Sequence, residues 1–357
     1  MLRTICNLSG MSCLGLAGWK LWKYYHWNED EDKLKEFFKE RNLYSAEQNY
    51  PTLINHEQYS NGELYIYSIP NGCKFSDFTR EQEGLEHLLK GEIEMWNEKK
   101  KIFIRSYTKP IPKKVKYGNN LLNELDEVKL GFPVGYSARG VEIHDFLNEG
   151  SHLLVAGTTN YGKSNFLHVI IQSMMDYYTK DEVDFNLLDL KEGVEFNEYQ
   201  EVDYADNLQD TKIIIEQLKE EMKERSKLIK SRGYKNINKL DIPYIITIVD
   251  EFARVSQDRE LLDDFELLLQ QGRMAGLHFV LSTQYPKSDI IPTNIRINCD
   301  SRIAFRLKDG RASNVVLKND KASNLPPIQG RGIYCFDRDI EVQVPLIKKE
   351  VQGGEIF

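Results

Sequence analysis

A glycine-containing loop constrains the fold of this chain more than any other sequence feature. The segment Gly157-Thr-Thr-Asn-Tyr-Gly-Lys-Ser164 follows the apolar run 152–156 and precedes a segment with helical apolar periodicity. This order of strand, loop and helix is typical of a P-loop, which binds phosphates. Its backbone N–H groups can turn toward the phosphates, Lys163 can reach the β and γ oxygens, and the Ser164 hydroxyl can ligate Mg²⁺. The sequence therefore predicts that the chain binds ATP with Mg²⁺. The predicted nucleotide-binding residues are Gly157, Thr158, Thr159, Asn160, Tyr161, Gly162, Lys163 and Ser164.

An acidic pair supplies the second half of the predicted site. Asp250 and Glu251 follow the continuous apolar run 244–249, a pattern typical of a strand buried on both faces. Asp250 is placed to hold Mg²⁺, and Glu251 to orient and deprotonate an attacking water. Taken alone, the pair could equally begin a helix, because carboxylates are favourable at a helix N-terminus. With a P-loop upstream, the pair indicates ATP hydrolysis rather than phosphate transfer to a substrate, which does not require an activated water.

Two further polar residues follow or precede a predicted strand, 278–283. The amide of Gln284 could sense the γ-phosphate, or it could be an ordinary strand-end amide with its hydrogen bonds satisfied. Arg273, near the end of a predicted helix, suits an arginine that one subunit supplies to the nucleotide of its neighbour. It could also be a cation that simply favours the helix C-terminus. The other candidates for the arginine role are Arg302, Arg306 and Arg311.

The overall charge limits how the chain can contact nucleic acid. The net charge of −8 excludes a protein covered in DNA-binding cations, so any contact with DNA must be local. Lys191, Arg254 and Arg259 follow predicted strand ends and are candidate DNA contacts, although ordinary solvated charges are the alternative. The five cysteines show no paired or zinc-binding spacing, which favours a reduced cytoplasmic compartment.

From residue 150 onward, predicted strands alternate with predicted helices. This alternation predicts an α/β fold, with a mostly parallel sheet covered by helices on both faces. The N-terminal segment is apolar but shorter than the roughly 20 residues of a bilayer-spanning helix, so it is marginal as a membrane anchor. The predicted divisions are an apolar segment at 1–27, a charged helical linker at 28–53, a small α/β domain at 54–116, a connecting segment at 117–148 and the P-loop domain at 149–357.

Taken in order, these motifs resemble the FtsK/SpoIIIE family of DNA translocases. The resemblance covers roughly residues 130–336 and includes the spacings as well as the motifs. The matching segments are 152–159 with 162–164, 189–191, 221–225, 249–253, 273–278, 282–284 and 301–305. Residues 54–116 are similar to the small domain that precedes the motor in this family. The segment 189–196 is more similar to versions carried by plasmids and conjugative elements than to the cell-division enzymes.

The resemblance implies a RecA-like P-loop NTPase fold and a hexameric ring that moves double-stranded DNA, with ATP bound between subunits. It implies catalytic roles for Lys163, Ser164, Asp250 and Glu251, a sensor role for Gln284 and an interface role for Arg273. It also implies a relaxase or replication complex as partner. The cytoplasmic location is predicted from the cysteines, and inner-membrane association through the N-terminus from the apolar segment 1–27. The chain departs from the family pattern at Asn160-Tyr161 and at Asn314. A protein-translocating secretion ATPase of the same superfamily is the alternative, and stimulation of ATP hydrolysis by DNA distinguishes the two. A regulatory protein that rarely hydrolyses nucleotide is a third class, against which Glu251 argues.

Overall fold

A computed structural model describes residues 30–59, 61–191 and 193–347. The chain divides into two compact units, of which the first ends at Pro110 and the second begins at Ile111. Within the described ranges, no helix is both long enough and apolar enough to cross a membrane. The predicted membrane anchor, residues 1–27, lies outside the described residues.

The first unit contains a four-stranded antiparallel sheet in the order β1-β2-β4-β3. A charged helix, α1 (30–40), buries Leu34, Phe37 and Phe38 in the same core as Tyr65 and Tyr67 of the sheet. The helix that the sequence places in a linker therefore contributes to the core of this unit through its apolar face. The other elements are β1 Leu53–Tyr59, β2 Gly62–Ser68, α2 Phe75–Thr79, α3 Gln82–Leu89, β3 Glu92–Glu98 and β4 Lys101–Tyr107.

The second unit is built on a ten-stranded sheet in the order β6-β5-β14-β13-β12-β7-β11-β10-β8-β9. Its strands are β5 Gly131–Tyr136, β6 Val141–Asp145, β7 His152–Ala156, β8 Val183–Asp189, β9 Asp203–Ala205, β10 Tyr244–Asp250, β11 Leu277–Thr283, β12 Ser301–Phe305, β13 Arg331–Cys335 and β14 Asp339–Gln343. Its helices are α4 Lys163–Tyr177, α5 Leu208–Ser231, α6 Arg259–Gln271, α7 Thr293–Asn298, α8 Gly310–Leu317 and α9 Lys321–Asn324. The strands from β12 to β9 are parallel.

The sheet is buried on both faces because successive residues of a strand point to opposite sides. In β7, Leu153 and Val155 join the core formed with α4, whereas Leu154 and Ala156 join the core formed with α5 and α6. The predicted α/β fold, with a mostly parallel sheet covered by helices on both faces, is confirmed.

The segment 117–148, which the sequence treats as a connection, extends this sheet. Strands β5 and β6 pair with each other, and β5 pairs with β14 through Tyr136 and Gln343. The register of the β5–β6 pair shifts between Pro133 and Gly135. Proline and glycine are depleted in strand interiors, so the sequence pattern does not predict β5.

Candidate nucleotide site

The P-loop connects β7 to α4 at the carboxyl edge of the parallel strands. A Cβ atom on Gly162, which has a φ of +108°, would lie 2.8 Å from the Cα of Gly330. A Cβ atom on Gly157 would lie 2.8 Å from the Cβ of Phe305. Both positions therefore require glycine, because neighbouring chain segments leave no space for a side chain. The first N–H groups of α4, which begins at Lys163, have no partner within the helix and form an anion-binding end.

Lys163, Asp250 and Ser282 form a buried cluster beneath this loop. The Lys163 Nζ contacts Asp250 Oδ1 and donates a hydrogen bond to Ser282 Oγ at 2.7 Å. Ser282 Oγ in turn donates to Asp250 Oδ1 at 3.1 Å. The cluster forms because β11, which carries Ser282, lies between β7 and β10. The sequence marks Ser282 only as part of the segment 282–284, which matches the family pattern, and assigns it no role in the site.

The second oxygen of Asp250 fits a cation site. Asp250 is 0% exposed, and its Oδ2 has no hydrogen-bond partner among the described residues. A buried carboxylate oxygen without a donor or a cation is energetically unfavourable. The hydroxyl group of Ser164 belongs to the first turn of α4, next to Lys163. These oxygen donors are of the kind that Mg²⁺ prefers, so Ser164 and Asp250 fit the metal that the sequence predicts.

Glu251 lies one residue beyond β10, in a left-handed backbone conformation with a φ of +65°. Its Oε1 accepts a hydrogen bond from Thr283 Oγ1 at 3.0 Å, and its Oε2 accepts one from the Gln284 N–H at 3.3 Å. The side chain of Gln284 accepts a hydrogen bond from Thr159 Oγ1 at 3.0 Å. Gln284 therefore connects the P-loop with the predicted water-activating carboxylate.

The P-loop accommodates Asn160 and Tyr161, the two residues within it that depart from the family pattern. Asn160 has a φ of +69°, a conformation that asparagine tolerates better than most residues. The Arg306 guanidinium lies 5.7 Å from the centre of the Tyr161 ring, within the range of a cation–π contact. The Arg306 carbonyl accepts a hydrogen bond from Thr158 Oγ1 at 2.9 Å. These contacts tie Arg306 to the P-loop of its own chain.

The structure does not bring Arg273 together with the other predicted site residues. Arg273 lies in a 3₁₀ turn, Gly272–Ala275, just before the start of β11, whereas Gln284 follows the end of that strand. A strand rises about 3.3 Å per residue, so the two residues of one chain lie about 20 Å apart. The Arg273 guanidinium is exposed and donates to the Leu147 carbonyl at 3.5 Å.

The candidate DNA contacts lie on exposed segments at the carboxyl edge of the sheet. Lys191 follows β8, Arg254 follows β10 and Arg259 begins α6, and all three residues are exposed. The loop that carries Lys191 is held by Asp189, whose carboxylate accepts the N–H groups of Glu195 and Phe196 at 2.6 and 3.1 Å.

Known proteins are similar to this chain in sequence. DNA translocase FtsK of Streptococcus pneumoniae is 29% identical over 264 residues, which cover 64% of this chain and 34% of that protein. DNA translocase FtsK of Lactococcus lactis subsp. lactis is 31% identical over 268 residues, which cover 64% of this chain and 35% of that protein. The chain thus spans about a third of the length of these relatives.

Two solved structures share the fold. The conjugation coupling protein TcpA of pCW3, in a monomer form with ATPγS, matches with a TM-score of 0.61 and 23% identity, covering 89% of this chain and 95% of that one. The cytoplasmic domain of the type VII secretion ATPase EccC from Thermomonospora curvata matches with a TM-score of 0.55 and 21% identity, covering 68% of this chain and 30% of that one. The family model described as FtsK/SpoIIIE family matches residues 118–323, more than half of the chain. The chain therefore belongs to the FtsK/SpoIIIE family.

Proposed function

We propose that the chain is an ATP hydrolase whose activity is coupled to movement of double-stranded DNA. The observation that carries this proposal is the convergence of Lys163, Asp250, Glu251 and Gln284 at one edge of a parallel sheet, in a chain of the FtsK/SpoIIIE family. ATP with Mg²⁺ supplies the phosphoryl bond that is cleaved.

The side chains of the site divide the chemistry among them. The ammonium of Lys163 has three protons. Asp250 and Ser282 occupy two of them, which leaves one for a phosphate oxygen. Ser164 and Asp250 hold Mg²⁺ through oxygen donors. Glu251 orients and deprotonates the water that attacks the terminal phosphate.

The proposed substrate is duplex DNA, and the proposed assembly is a homohexameric ring. Relatives about 30% identical are named DNA translocases, which supports DNA as the substrate. The support for a ring is membership of the FtsK/SpoIIIE family, and in such a ring Arg273, which lies far from the nucleotide site of its own chain, would act on the nucleotide of a neighbouring subunit. Since the net charge is −8, contacts with the phosphate backbone would concentrate on Lys191, Arg254 and Arg259, repeated around the ring.

The proposed biological role is movement of plasmid or other mobile-element DNA. Its support is the segment 189–196, together with a shared fold with a conjugation coupling protein. In that role the motor would work with a relaxase or a replication complex in the cytoplasm. The apolar segment 1–27 would anchor it to the cell membrane. Fractionation of cells that express the chain with and without 1–27 tests the anchor, because equal recovery in the soluble fraction contradicts it.

Displacement of a triplex-forming strand from linear duplex DNA tests translocation directly. We expect the parent protein to displace the strand with ATP, and Lys163→Ala and Glu251→Gln to displace none. Lys230→Ala and Glu224→Gln are matched controls, because both side chains are exposed on α5, and they should retain displacement. A Glu251→Gln protein that displaces the strand as fast as the parent contradicts the proposal.

A comparison of ATP turnover with and without linear duplex DNA separates DNA translocation from protein export. We expect DNA to raise turnover, and a variant with Arg254→Glu and Arg259→Glu to lose that stimulation. A variant with Lys223→Glu and Lys227→Glu, both exposed on α5, controls for the change in net charge. Unchanged stimulation in the first variant rejects these arginines as DNA contacts, and a parent that DNA never stimulates favours export.

A further inference from the structure

We propose that Thr283 is a positioning residue for ATP hydrolysis, because its hydroxyl group fixes the carboxylate of Glu251. This inference rests on the proposed function as an ATP hydrolase. Thr283 is the last residue of β11 and is 0% exposed. Its Oγ1 lies 3.0 Å from Glu251 Oε1, and the next N–H along the chain, that of Gln284, lies 3.3 Å from Glu251 Oε2. One strand end therefore holds both oxygens of the carboxylate.

Glu251 needs such support because its position in the chain does not fix its side chain. It follows the end of β10 with a φ of +65°, outside the regular strand. A glutamate side chain has several freely rotating bonds and loses much conformational entropy when it is ordered. The backbone beyond it is tied to the same neighbouring strand, since the Phe252 N–H donates to the Ser282 carbonyl at 2.7 Å. Both the backbone turn and the carboxylate are thus positioned by β11.

The direction of the Thr283 hydrogen bond follows from its neighbours. The Tyr285 N–H donates to Thr283 Oγ1 at 3.2 Å, so the hydroxyl oxygen acts as an acceptor there. A hydroxyl group has one proton, and the carboxylate of Glu251 is an acceptor for it. Thr283 therefore donates to Glu251 Oε1. Each oxygen of a carboxylate has two lone-pair sites, so Oε1 and Oε2 can still accept a proton from water.

The hydrogen bond from Thr283 holds the Glu251 carboxylate in place, because the strand that carries Thr283 is itself fixed in the sheet. Strand β11 is paired with β10 on one side and with β7 on the other, so its end does not move independently of the sheet. The same strand end contacts the P-loop, because Thr159 donates to the Gln284 side chain at 3.0 Å. The donors that orient Glu251 are thus fixed relative to the loop that binds the phosphates.

A pair of substitutions separates this role from simple packing. Thr283→Val keeps the shape of the side chain and removes the hydroxyl group, whereas Thr283→Ser keeps the hydroxyl group and removes a methyl group. We expect kcat for ATP to fall about tenfold in Thr283→Val, equivalent to about 1.4 kcal/mol in the barrier, with KM within about twofold of the parent. Thr283→Ser should retain kcat within about threefold of the parent. Packing alone would predict the reverse order.

The matched control is Thr247→Val. Thr247 is a buried threonine in the middle of β10, and its hydroxyl group accepts a hydrogen bond from Asn186 Nδ2 at 3.3 Å. Removal of that hydroxyl group should leave kcat unchanged. Thermal unfolding of each variant verifies folding, and Thr283→Ala replaces Thr283→Val if the latter does not fold. In a Glu251→Gln background, Thr283→Val should cause no further loss, because the two residues act as a unit.

The outcomes distinguish failure of this inference from failure of the proposed function. An active parent with a Thr283→Val variant of equal or higher kcat overturns the role of Thr283 alone. A Thr283→Ser variant as slow as Thr283→Val also overturns it. A parent that hydrolyses no ATP, with or without duplex DNA, refutes the proposed function and the role of Thr283 together.

Discussion

Three histidines buried as neutral rings should make the second unit sensitive to acid. His152 and His278 lie at the starts of β7 and β11, at the edge of the sheet opposite the nucleotide site, and His144 lies near the end of β6. Burial lowers the pKa of His144 and of His152 to about 3, and that of His278 to about 4. The rings of His152 and His278 are 6.3 Å apart, so a charge on either ring further disfavours a charge on the other.

Their hydrogen bonds show why a second proton is unfavourable. The Phe279 N–H donates to His152 Nδ1 at 3.1 Å, and His152 Nε2 lies 3.0 Å from the Leu269 carbonyl. The neutral ring with its proton on Nε2 satisfies both contacts, whereas a proton on Nδ1 would face the N–H of Phe279. His278 Nδ1 similarly donates to the Ser151 carbonyl at 2.9 Å. His278 Nε2 is buried without a hydrogen-bond partner among the described residues, so a second proton there would have no acceptor.

The size of the effect follows from proton linkage. A histidine in the unfolded chain has a pKa of about 6.5, which is above all three folded values, so the unfolded state binds more protons as the pH falls. The stabilisation is fully present above pH 6.5 and is lost as the pH falls toward 3 to 4. At pH 5 each histidine has lost about 2 kcal/mol, or about 6 kcal/mol for the three together. That loss is comparable to the whole stability of a typical domain, about 5–15 kcal/mol.

Urea denaturation followed by circular dichroism at pH 7, 6 and 5 measures this loss. We expect the free energy of unfolding to fall steeply between pH 6.5 and pH 5, and His152→Gln to reduce the slope, because glutamine can make both hydrogen bonds without titrating. His87→Asn is the control, since His87 is exposed on α3, and it should keep the slope of the parent. A free energy of unfolding that changes by less than about 1 kcal/mol between pH 7 and pH 5 refutes the reasoning.

Three further predictions follow from buried contacts. The buried guanidinium of Arg331 donates to a carboxylate, an amide and backbone carbonyls. Arg331→Met should therefore lower the free energy of unfolding by about 2–3 kcal/mol. The exposed Arg232→Met is its control, and equal thermal unfolding of the two variants contradicts the prediction. Gly162→Ala should weaken ATPγS binding at least about tenfold by calorimetry. An alanine there would have a strained left-handed backbone, and its Cβ would collide with Gly330. Gly233→Ala, which has a positive φ and no atom nearby, should leave binding unchanged. Asp189→Ala should speed proteolysis within the loop that follows β8, and an unaltered cleavage rate would show that this carboxylate does not hold the loop.

The nucleotide loop and the acidic pair could be predicted from sequence because both depend on residues adjacent in the chain. Ser282 and Thr283 could not, since their contacts with Asp250 and Glu251 depend on the pairing of β10 with β11. The sequence predicts both strands and their proximity in the sheet, but it does not predict the register that aligns their ends. The polar residues at the end of β11 gain their roles only from that alignment.

Elements outside the parallel strands were harder to predict for local reasons. Pro133 and Gly135 interrupt the pattern of β5, although the strand is buried in the sheet. The charges of α1 and its apolar residues at helical spacing predict a solvated amphipathic helix or linker, and Leu34 and Phe38 on that apolar face are fully buried. In β5, tertiary packing decided the structure against the composition of the segment.

The four arginines that the sequence could not separate differ clearly in their surroundings. Arg302 donates to three backbone carbonyls of its own chain at 3.0 to 3.2 Å, and Arg306 contacts its own P-loop. Arg311 lies in the first turn of α8, which follows the carboxyl end of β12. It is therefore at the same edge of the sheet as the nucleotide site of its own chain. Arg273 is exposed at the opposite edge, about 20 Å from that site by the length of β11. Of the four, it is therefore the residue whose contact with a nucleotide would require a neighbouring subunit, and it remains our proposal for the arginine that acts between subunits.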